Sequence, residues 1–380
     1  MDFTLDHKYE QIREMIRDFA NKEIAPGAKE RDDTERFDRR IFEKMSKLGI
    51  TGVPYAEEYG GAELDHLANV IAIEEIAKVD PSLGADLSIH SALASWVISE
   101  FATEEQKKKY LVPLAQGDSL GAFSLTEPYA GSDTANMKTT AIRDGNEYVL
   151  NGNKVFTSNG GIADVYVVFA LTDPSARGEG ISAFLVDKNL PGFKTGIPEK
   201  KMGIRAHTVA ELIFEDCRIP AENLLGEEGK GFAIAMRALE SGRLGMSAQA
   251  LGIAEAAFEH AKNYAQTRIQ FGKPISELQS IQFKLADMAV KIEAAKLLVY
   301  QAAWLQSQGK PFGLKSSMAK AFVPTIAMEI AVEAVQIFGG YGFIRDFPVE
   351  RLMRDAKITA IYTGTVEMQK NNIARNILNS

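Results

Sequence analysis

At 380 residues, with 46% apolar and 25% charged residues, the chain has ordinary globular composition, far from the low-hydrophobicity regime of disorder. It is longer than the roughly 250 to 300 residues that a single core usually serves, so two or three domains are expected. The formal net charge is -8 with both signs scattered, which argues against a phosphate-neutralising surface and hence against nucleic acid. One cysteine, Cys217, leaves no partner for an intrachain disulfide and fits a reducing cytoplasm.

The opening segment MDFTLDHKYEQIREMIRDFANKEIAP is charged, with Tyr9, Ile12, Ile16 and Phe19 at helical spacing before Pro26; it reads as an amphipathic helix and not as an apolar signal core. No run of about 18 apolar residues, the length that would suggest a span, occurs in the sequence. The expectation is a protein neither secreted nor membrane-spanning. Val70 to Val79 and Ala92 to Phe101 continue the helical period, so residues 1–120 are expected to form an α-helical domain.

From Gly121 short β-branched and aromatic runs appear between turn residues, as in EYVLNGNKVFTSNGG, DVYVVFALTD, ISAFLVDKNLPGF and ELIFEDCRIP. These read as strands of a small sheet or barrel, giving a central β-domain over 121–231. After Gly231 the helical period returns, with Leu251, Ala254, Phe258 and Ala261 on one face and Leu285, Met288, Ile292 and Ala295 on another. Residues 232–380 are expected to form a helical bundle. Helices, then strands, then helices predict an α+β fold, which argues against a doubly wound nucleotide fold.

Two familiar signals fail on inspection. GEEGKGF, Gly226 to Phe232, lacks the hydroxyl residue after Lys230 that a phosphate loop uses to hold magnesium. His7, His66, His90, His207 and His260 are dispersed with no paired spacing, so no metal site is expected. The informative segment is FSLTEPYAGSD, Phe123 to Asp133, where helices give way to strands. Its small and hydroxyl residues, with a turn at Pro128, Gly131 and Ser132, suit close approach to a planar polar ring.

KVFTSNGG (Lys154 to Gly161), TRIQFGKPISELQ (Thr267 to Gln279), AVQIFGGYGF (Ala334 to Phe343) and RDAKITAIYTGT (Arg354 to Thr365) follow in order. With these five segments the sequence resembles the acyl-CoA dehydrogenase family, most closely its short-chain and butyryl members, over essentially the whole chain. The resemblance implies a helical domain, a central β-domain and a C-terminal four-helix domain, in a homotetramer. It also implies FAD, an acyl-CoA substrate and an electron-transferring flavoprotein as electron acceptor.

Carried over by position, the resemblance sets Phe123, Leu125, Thr126 and Ser132 along the isoalloxazine and the adjoining substrate channel, with Phe156 and Ser158 opposite. It gives Arg268, Phe271, Gln279, Gln336 and Gly340 to the FAD pyrophosphate and adenosine, partly across a subunit interface, and puts Thr365 and Glu367 beside the cofactor. Ser132, Glu240, Arg243 and Gly364 match substrate-contacting positions. A charged Arg268 suits a pyrophosphate, and Gly339 and Gly340 permit close backbone approach.

One position departs from the pattern. Where most short- and medium-chain members carry the glutamate that removes the thioester α-proton, this chain has Thr363, and a neutral hydroxyl is no base for a carbon acid near neutral pH. The isovaleryl and long-chain branches place their base just before the residue matching Arg243, which here is Gly242. An acid instead occurs in PSLGADLSIHSALAS, Pro81 to Ser95, the segment matching the wall of the deep acyl pocket. Burying an unpaired carboxylate there costs several kcal/mol, so Asp86 asks for a function.

If the acyl group already carries an α,β double bond, conjugation makes the γ-hydrogen acidic, and a base deeper in the pocket is the one required. In this respect the sequence resembles the subgroup acting on alicyclic CoA thioesters such as cyclohex-1-ene-1-carboxyl-CoA. The expectation is therefore a 1,4-elimination giving the conjugated ring diene, with Asp86 as base and His90, four residues on, as a relay for the proton; onward oxidation to benzoyl-CoA is a further expectation. The alternatives are conventional α,β-dehydrogenation of a linear or cyclohexane thioester with Glu240 or Glu367 as base, and an inactive FAD-bound scaffold.

Overall fold

The computed structural model describes residues 4–379. Helix α1 (His7–Phe19) buries Tyr9, Arg13 and Ile16, and Pro26 lies in a 3-10 turn that follows it, Ala25–Gly27. Helix α2 (His66–Val79) starts at Asp65, whose carboxylate accepts the Ala68 amide at 2.9 Å. Helix α3 (Pro81–Ile89) starts at Asp80, which accepts the Ser82 and Leu83 amides, with Pro81 in the first turn where no amide is needed. Every residue of α3 is buried, and the helix runs on through a π-turn, His90–Ala94, into Ser95–Phe101. Such π-turns are frequent beside functional sites.

The strands are β1 (Gly121–Ser124), β2 (Thr140–Asp144), β3 (Glu147–Ser158), β4 (Val165–Leu171), β5 (Ile181–Asp187), β6 (Phe193–Thr195), β7 (Val209–Pro220) and β8 (Leu224–Leu225). They form one sheet in the order β6-β7-β3-β2-β4-β5-β8, with β1 pairing in parallel with β4. The antiparallel β3–β7 pair loses register between Leu150 and Gly152 and again between Lys154 and Thr157. Bulges of this kind re-aim side chains at the rim of a sheet, and the second one turns Phe156 outward at a φ of 55°.

Three long helices follow, α4 (Gly231–Thr267), α5 (Gln279–Ser307) and α6 (Gly313–Phe338), then α7 (Val349–Thr359) and α8 (Val366–Leu378). Glycines at 242, 245 and 252 let α4 lie against the N-terminal helices: a Cβ at Gly252 would stand 2.4 Å from the Glu74 carbonyl oxygen, and one at Gly245 2.2 Å from the Ser88 hydroxyl. Helix α6 is long and apolar enough by composition to cross a membrane, yet Ala319, Val323, Ile330 and Ala334 lie in a core shared with α4 and α5.

The cores do not respect the helix–strand–helix order. Ile71, Ile73 and Leu83 join Leu251, Ile253 and Ile330 in one cluster, each such aliphatic side chain contributing about 1.5 to 3 kcal/mol on burial. A second cluster links Leu93 and Val97 with Val167 and Leu185 of the sheet and Ala235 and Met246 of α4. The meeting point of α3, the sheet and α4 is therefore a rigid junction. Deep in the helical core Glu74, Glu75 and Glu255 converge, but Arg17, Lys78 and Lys296 already pair with two of them; burial raises Glu74 to about 8, so it keeps a proton.

Candidate active site

The turn after β1 is built around a buried ion pair. Lys154 Nζ lies 2.7 Å from Glu127 Oε1, the two side chains being essentially sealed from solvent, and Glu127 also accepts the Lys138 and Thr139 amides. Burial opposes ionisation of Glu127, but Lys154 overcomes it and holds the carboxyl below its usual range. The Val155 amide donates to the Thr126 carbonyl at 2.9 Å, and the Ser124 and Thr157 hydroxyls meet at 2.8 Å. Phe123, Leu125 and Thr126 are thereby held beside Phe156 and Ser158. Phe156 is 67% exposed on its strained backbone, whereas Leu125 and Ser158 are buried; Ser132 is exposed farther along the same turn.

A second group lies at the far end of α4. The Arg268 guanidinium sits over the Tyr341 ring at 5.4 Å, next to Gly339 and Gly340, where a Cβ would meet nothing within 4 Å. Phe271 is 91% exposed at a φ of 53°, and Gln279 and Gln336 are exposed. At 1.5 Å per residue, Arg268 stands about 37 Å along α4 from Arg243.

Between α3 and the sheet lies the carboxylate. Asp86 is 1% exposed, and its Oδ1 receives the Nδ1 of His207 at 2.6 Å, with His207 wholly buried. Asp86 Oδ2 and His207 Nε2 are both buried without a protein partner, an uncommon condition that marks space for a ligand or water. Burial pushes the Asp86 carboxyl up, opposed by His207. Asp86 also bears on Tyr362: burial first, and then the charge on Asp86, raise its phenol, opposed by its hydrogen bond to Gln249. Gln249 in turn donates to the Pro81 carbonyl at 2.8 Å, so the 362 loop, α4 and the start of α3 are tied together.

His90 does not serve as the relay expected from its spacing. Its Nδ1 accepts the Gly121 amide at 3.1 Å and its Nε2 therefore donates to the Leu114 carbonyl at 3.1 Å; both nitrogens are committed to backbone. Burial holds it down to about 4, so it stays neutral. The His90 amide still bonds the Asp86 carbonyl one turn back, so the two residues do share a turn; the ring is spent on backbone groups of other segments. The histidine beside Asp86 comes from a different domain, 121 residues along the chain, where only an alternating strand pattern preceded by a polar loop was visible.

Thr363 lies in the left-handed region at a φ of 55°, followed by Gly364 at 88°. A β-branched residue there is a strained outlier of about 1 to 3 kcal/mol, a kind that clusters at functional sites. Lys320 holds this loop: buried in α6, its Nζ donates to the Thr359 carbonyl at 2.6 Å and the Gly364 carbonyl at 3.3 Å. Burial and the nearby Arg243 bring Lys320 down to about 7. Arg243 is itself buried, with Nη1 on the Ser317 hydroxyl and Nε unpartnered.

The other acids lie elsewhere. Glu240 pairs with Arg237 and abuts Gly313 at the start of α6, about 10 Å along that helix from Lys320 and the 363 loop. Glu367 is exposed in the first turn of α8, which Thr365 caps. At Gly242 the Leu93 side chain occupies the space a Cβ would need, 2.6 Å away.

The N-terminal, middle and C-terminal domains of the acyl-CoA dehydrogenases match residues 6–118, 122–217 and 229–378. A short-chain specific acyl-CoA dehydrogenase of Clostridium acetobutylicum is 50% identical over 97% of this chain and 98% of its own length. The chain belongs to the acyl-CoA dehydrogenase family. The butyryl-CoA dehydrogenase structure of Megasphaera elsdenii superposes with a TM-score of 0.98 at 48% identity over the whole of both chains. A chain in the structure described as the electron transferring flavoprotein of Acidaminococcus fermentans does so with 0.99 at 50% identity, again over both chains in full.

As an acyl-CoA dehydrogenase the protein is an FAD-dependent oxidoreductase acting on CH–CH groups, and its residues fit that cofactor. Outward-facing Phe156 and Phe271 are large aromatic surfaces displayed on strained backbone with no protein covering them. The open space over Gly339 and Gly340 beside the Arg268 cation suits a phosphate-bearing group. FAD, when bound, supplies the hydride acceptor.

Proposed function

We propose that this acyl-CoA dehydrogenase catalyses 1,4-elimination on an alicyclic α,β-unsaturated thioester, cyclohex-1-ene-1-carboxyl-CoA, giving cyclohexa-1,5-diene-1-carboxyl-CoA. The observation that carries it is the contrast between Thr363, a hydroxyl where the family's usual base stands, and Asp86, a sealed carboxylate with one free oxygen close to Tyr362. Burial removes the solvent that would otherwise neutralise such a base and raises its proton affinity toward the working pH, as general-base catalysis requires.

The electrons balance around the ring. Asp86 Oδ2 takes the γ-proton; the freed C–H pair becomes the Cβ–Cγ double bond, the former Cα–Cβ pair moves to the ring carbon on the other side of Cα, and a hydride leaves that carbon. Arg243 and Ser132 would serve the CoA moiety, with Gly364 beside the thioester. Phe123, Leu125, Thr126, Phe156, Ser158, Thr365 and Glu367 would line the flavin. Arg268, Phe271, Gln279, Gln336 and Gly340 would grip the FAD pyrophosphate and adenosine, partly across a subunit interface of a homotetramer. An electron-transferring flavoprotein is the proposed electron acceptor, and the cytoplasm the proposed compartment.

The relatives named as short-chain specific favour a second reading, α,β-dehydrogenation of a linear thioester such as butyryl-CoA. Steady-state assays on the FAD-loaded enzyme separate the two. Turnover of the cyclohexene thioester at least a hundredfold above butyryl-CoA is expected, and the reverse preference would overturn the vinylogous mechanism.

A further inference from the structure

We propose that His207 is the positioning residue of this reaction, holding Asp86 ionised and turning its Oδ2 toward the substrate γ-carbon. The inference rests on Asp86 being the base. Its structural basis is the 2.6 Å contact between two side chains that are both sealed from water, with one unpartnered atom left on each. A carboxylate in such a place has nothing but its neighbours to stabilise the charge. With Oδ1 tied to the imidazole the carboxylate cannot spin about its Cβ–Cγ bond, so the free Oδ2 keeps one direction.

The loop that carries His207 is fixed from three sides. The His207 amide donates to the Ile204 carbonyl, the Ile204 amide donates to Asp355 of α7, and the Asn159 amide donates to the Thr208 carbonyl. Ile204 adopts a φ of 42°, and a Cβ at Gly203 would stand 2.3 Å from the Arg354 carbonyl. A β-branched residue held in this region signals a turn whose geometry the surroundings enforce. Asn159 also reaches the Asp86 and Gly121 carbonyls through its side-chain amide, which joins the loop, α3 and β1 at one point.

Of the other groups facing Asp86, Lys201 favours its charge, but less than His207 does. Lys201, on the same loop, spends its ammonium on the Glu199 and Arg205 carbonyls. Asp80 opposes the charge but is paired with Arg31. Tyr362 gives its hydroxyl to Gln249, and His90 is neutral and bound to backbone. In the reaction a bond forms between Oδ2 and the γ-proton while the His207 Nδ1 hydrogen bond to Oδ1 persists, so no second proton transfer is needed.

The test compares His207→Phe, which keeps a ring but has no donor, with His207→Asn, which keeps a donor near Nδ1 without the ring. In the FAD-loaded enzyme acting on the cyclohexene thioester, His207→Phe is expected to lower kcat about a hundredfold at neutral pH with KM changed less than threefold. The acid limb of its kcat/KM profile moves up by at least two pH units, and activity returns at alkaline pH. His207→Asn keeps its limb within half a unit of the parent. Solvent exchange of the γ-hydrogens of crotonyl-CoA in deuterium oxide reads the same limb with no redox turnover.

An unmoved limb in His207→Phe, or an equal loss at every pH in both variants, reduces His207 to a packing residue and overturns the proposal. Should His207→Phe fail to retain flavin, a limb displaced by a unit in His207→Asn does the same. Asp86→Asn run alongside keeps the two ideas apart: full turnover there removes the base itself, whereas a dead Asp86→Asn enzyme with an unmoved His207→Phe limb removes His207 alone.

Discussion

Around residue 363 the chain has a strained loop, a hydroxyl, and a buried lysine clamping two carbonyls; around residue 86 it has a sealed carboxylate held by a histidine from another domain. Both places are rigid, and both are assembled from segments far apart in sequence. They differ in where negative charge can exist. At 363 Lys320 is spent on carbonyls and Arg243 feels the charge of Glu240, whereas at 86 a buried carboxylate keeps one oxygen free to take a proton. Under the proposed reaction, this arrangement serves to remove a hydrogen remote from the carbonyl.

Asp86→Asn attacks that difference most directly. The change is nearly isosteric and removes the base, so kcat on the cyclohexene thioester should fall by about 10³ to 10⁴, at the upper end of what a positioned base contributes, with the flavin spectrum retained; single-turnover bleaching of the flavin measures it. The parent enzyme should show the same dependence as a function of pH. Burial raises the Asp86 carboxyl, and only its ionised form accepts a proton, so kcat/KM should drop about tenfold per unit once pH falls below a value higher than the usual carboxylate range.

Thr363→Glu should erode the difference from the other side. Placing a carboxylate at the strained position should raise butyryl-CoA turnover by about a hundredfold, less than a native base because a left-handed glutamate is also strained; no gain at any pH would argue that residue 363 is not aimed at the α-carbon. A smaller effect is expected from Lys320→Met, which strips the Thr359 carbonyl of its lysine donor and leaves the Gly364 carbonyl to Gln369 Nε2 alone. A carbonyl orphaned in this way costs about 1 to 3 kcal/mol, so the denaturation midpoint should fall while KM for the thioester rises only a few fold.

The smallest effect separates fold from site. Gly252→Ala pushes a methyl against the Glu74 backbone, where α4 meets α2, in contact with neither Thr363 nor Asp86. Overpacking of this type costs about 1 to 3 kcal/mol. The melting temperature should drop with kcat unchanged, and a parallel loss of kcat would mean that the junction of α2, α3 and α4 transmits strain to the site.

Much of the architecture was legible because periodicity reports burial directly. The strand runs EYVLNGNKVFTS and DVYVVFAL became β3 and β4, and the Leu251, Ala254 and Ala261 stripe became the buried face of α4. The assignment of His90 to the site failed for a reason the same logic explains. Helical spacing locates a residue on a face but does not say which backbone groups that face meets, and here the His90 ring meets the Leu114 carbonyl and the Gly121 amide. His207 was invisible, since nothing in a linear pattern links a loop before a strand to a helix 121 residues earlier.

From the chain alone came the order of helices and strands and the five motifs, which are local properties of residue type and spacing; the resemblance those motifs carry marked the missing glutamate at 363 and the unexpected acid at 86. Only the folded molecule decided that this acid is sealed from water, that one of its oxygens is free, and that a histidine of the β-domain holds the other. Burial and hydrogen bonding depend on which distant segments meet, and that is set by the shared cores of α3, the sheet and α4 rather than by any short stretch of sequence.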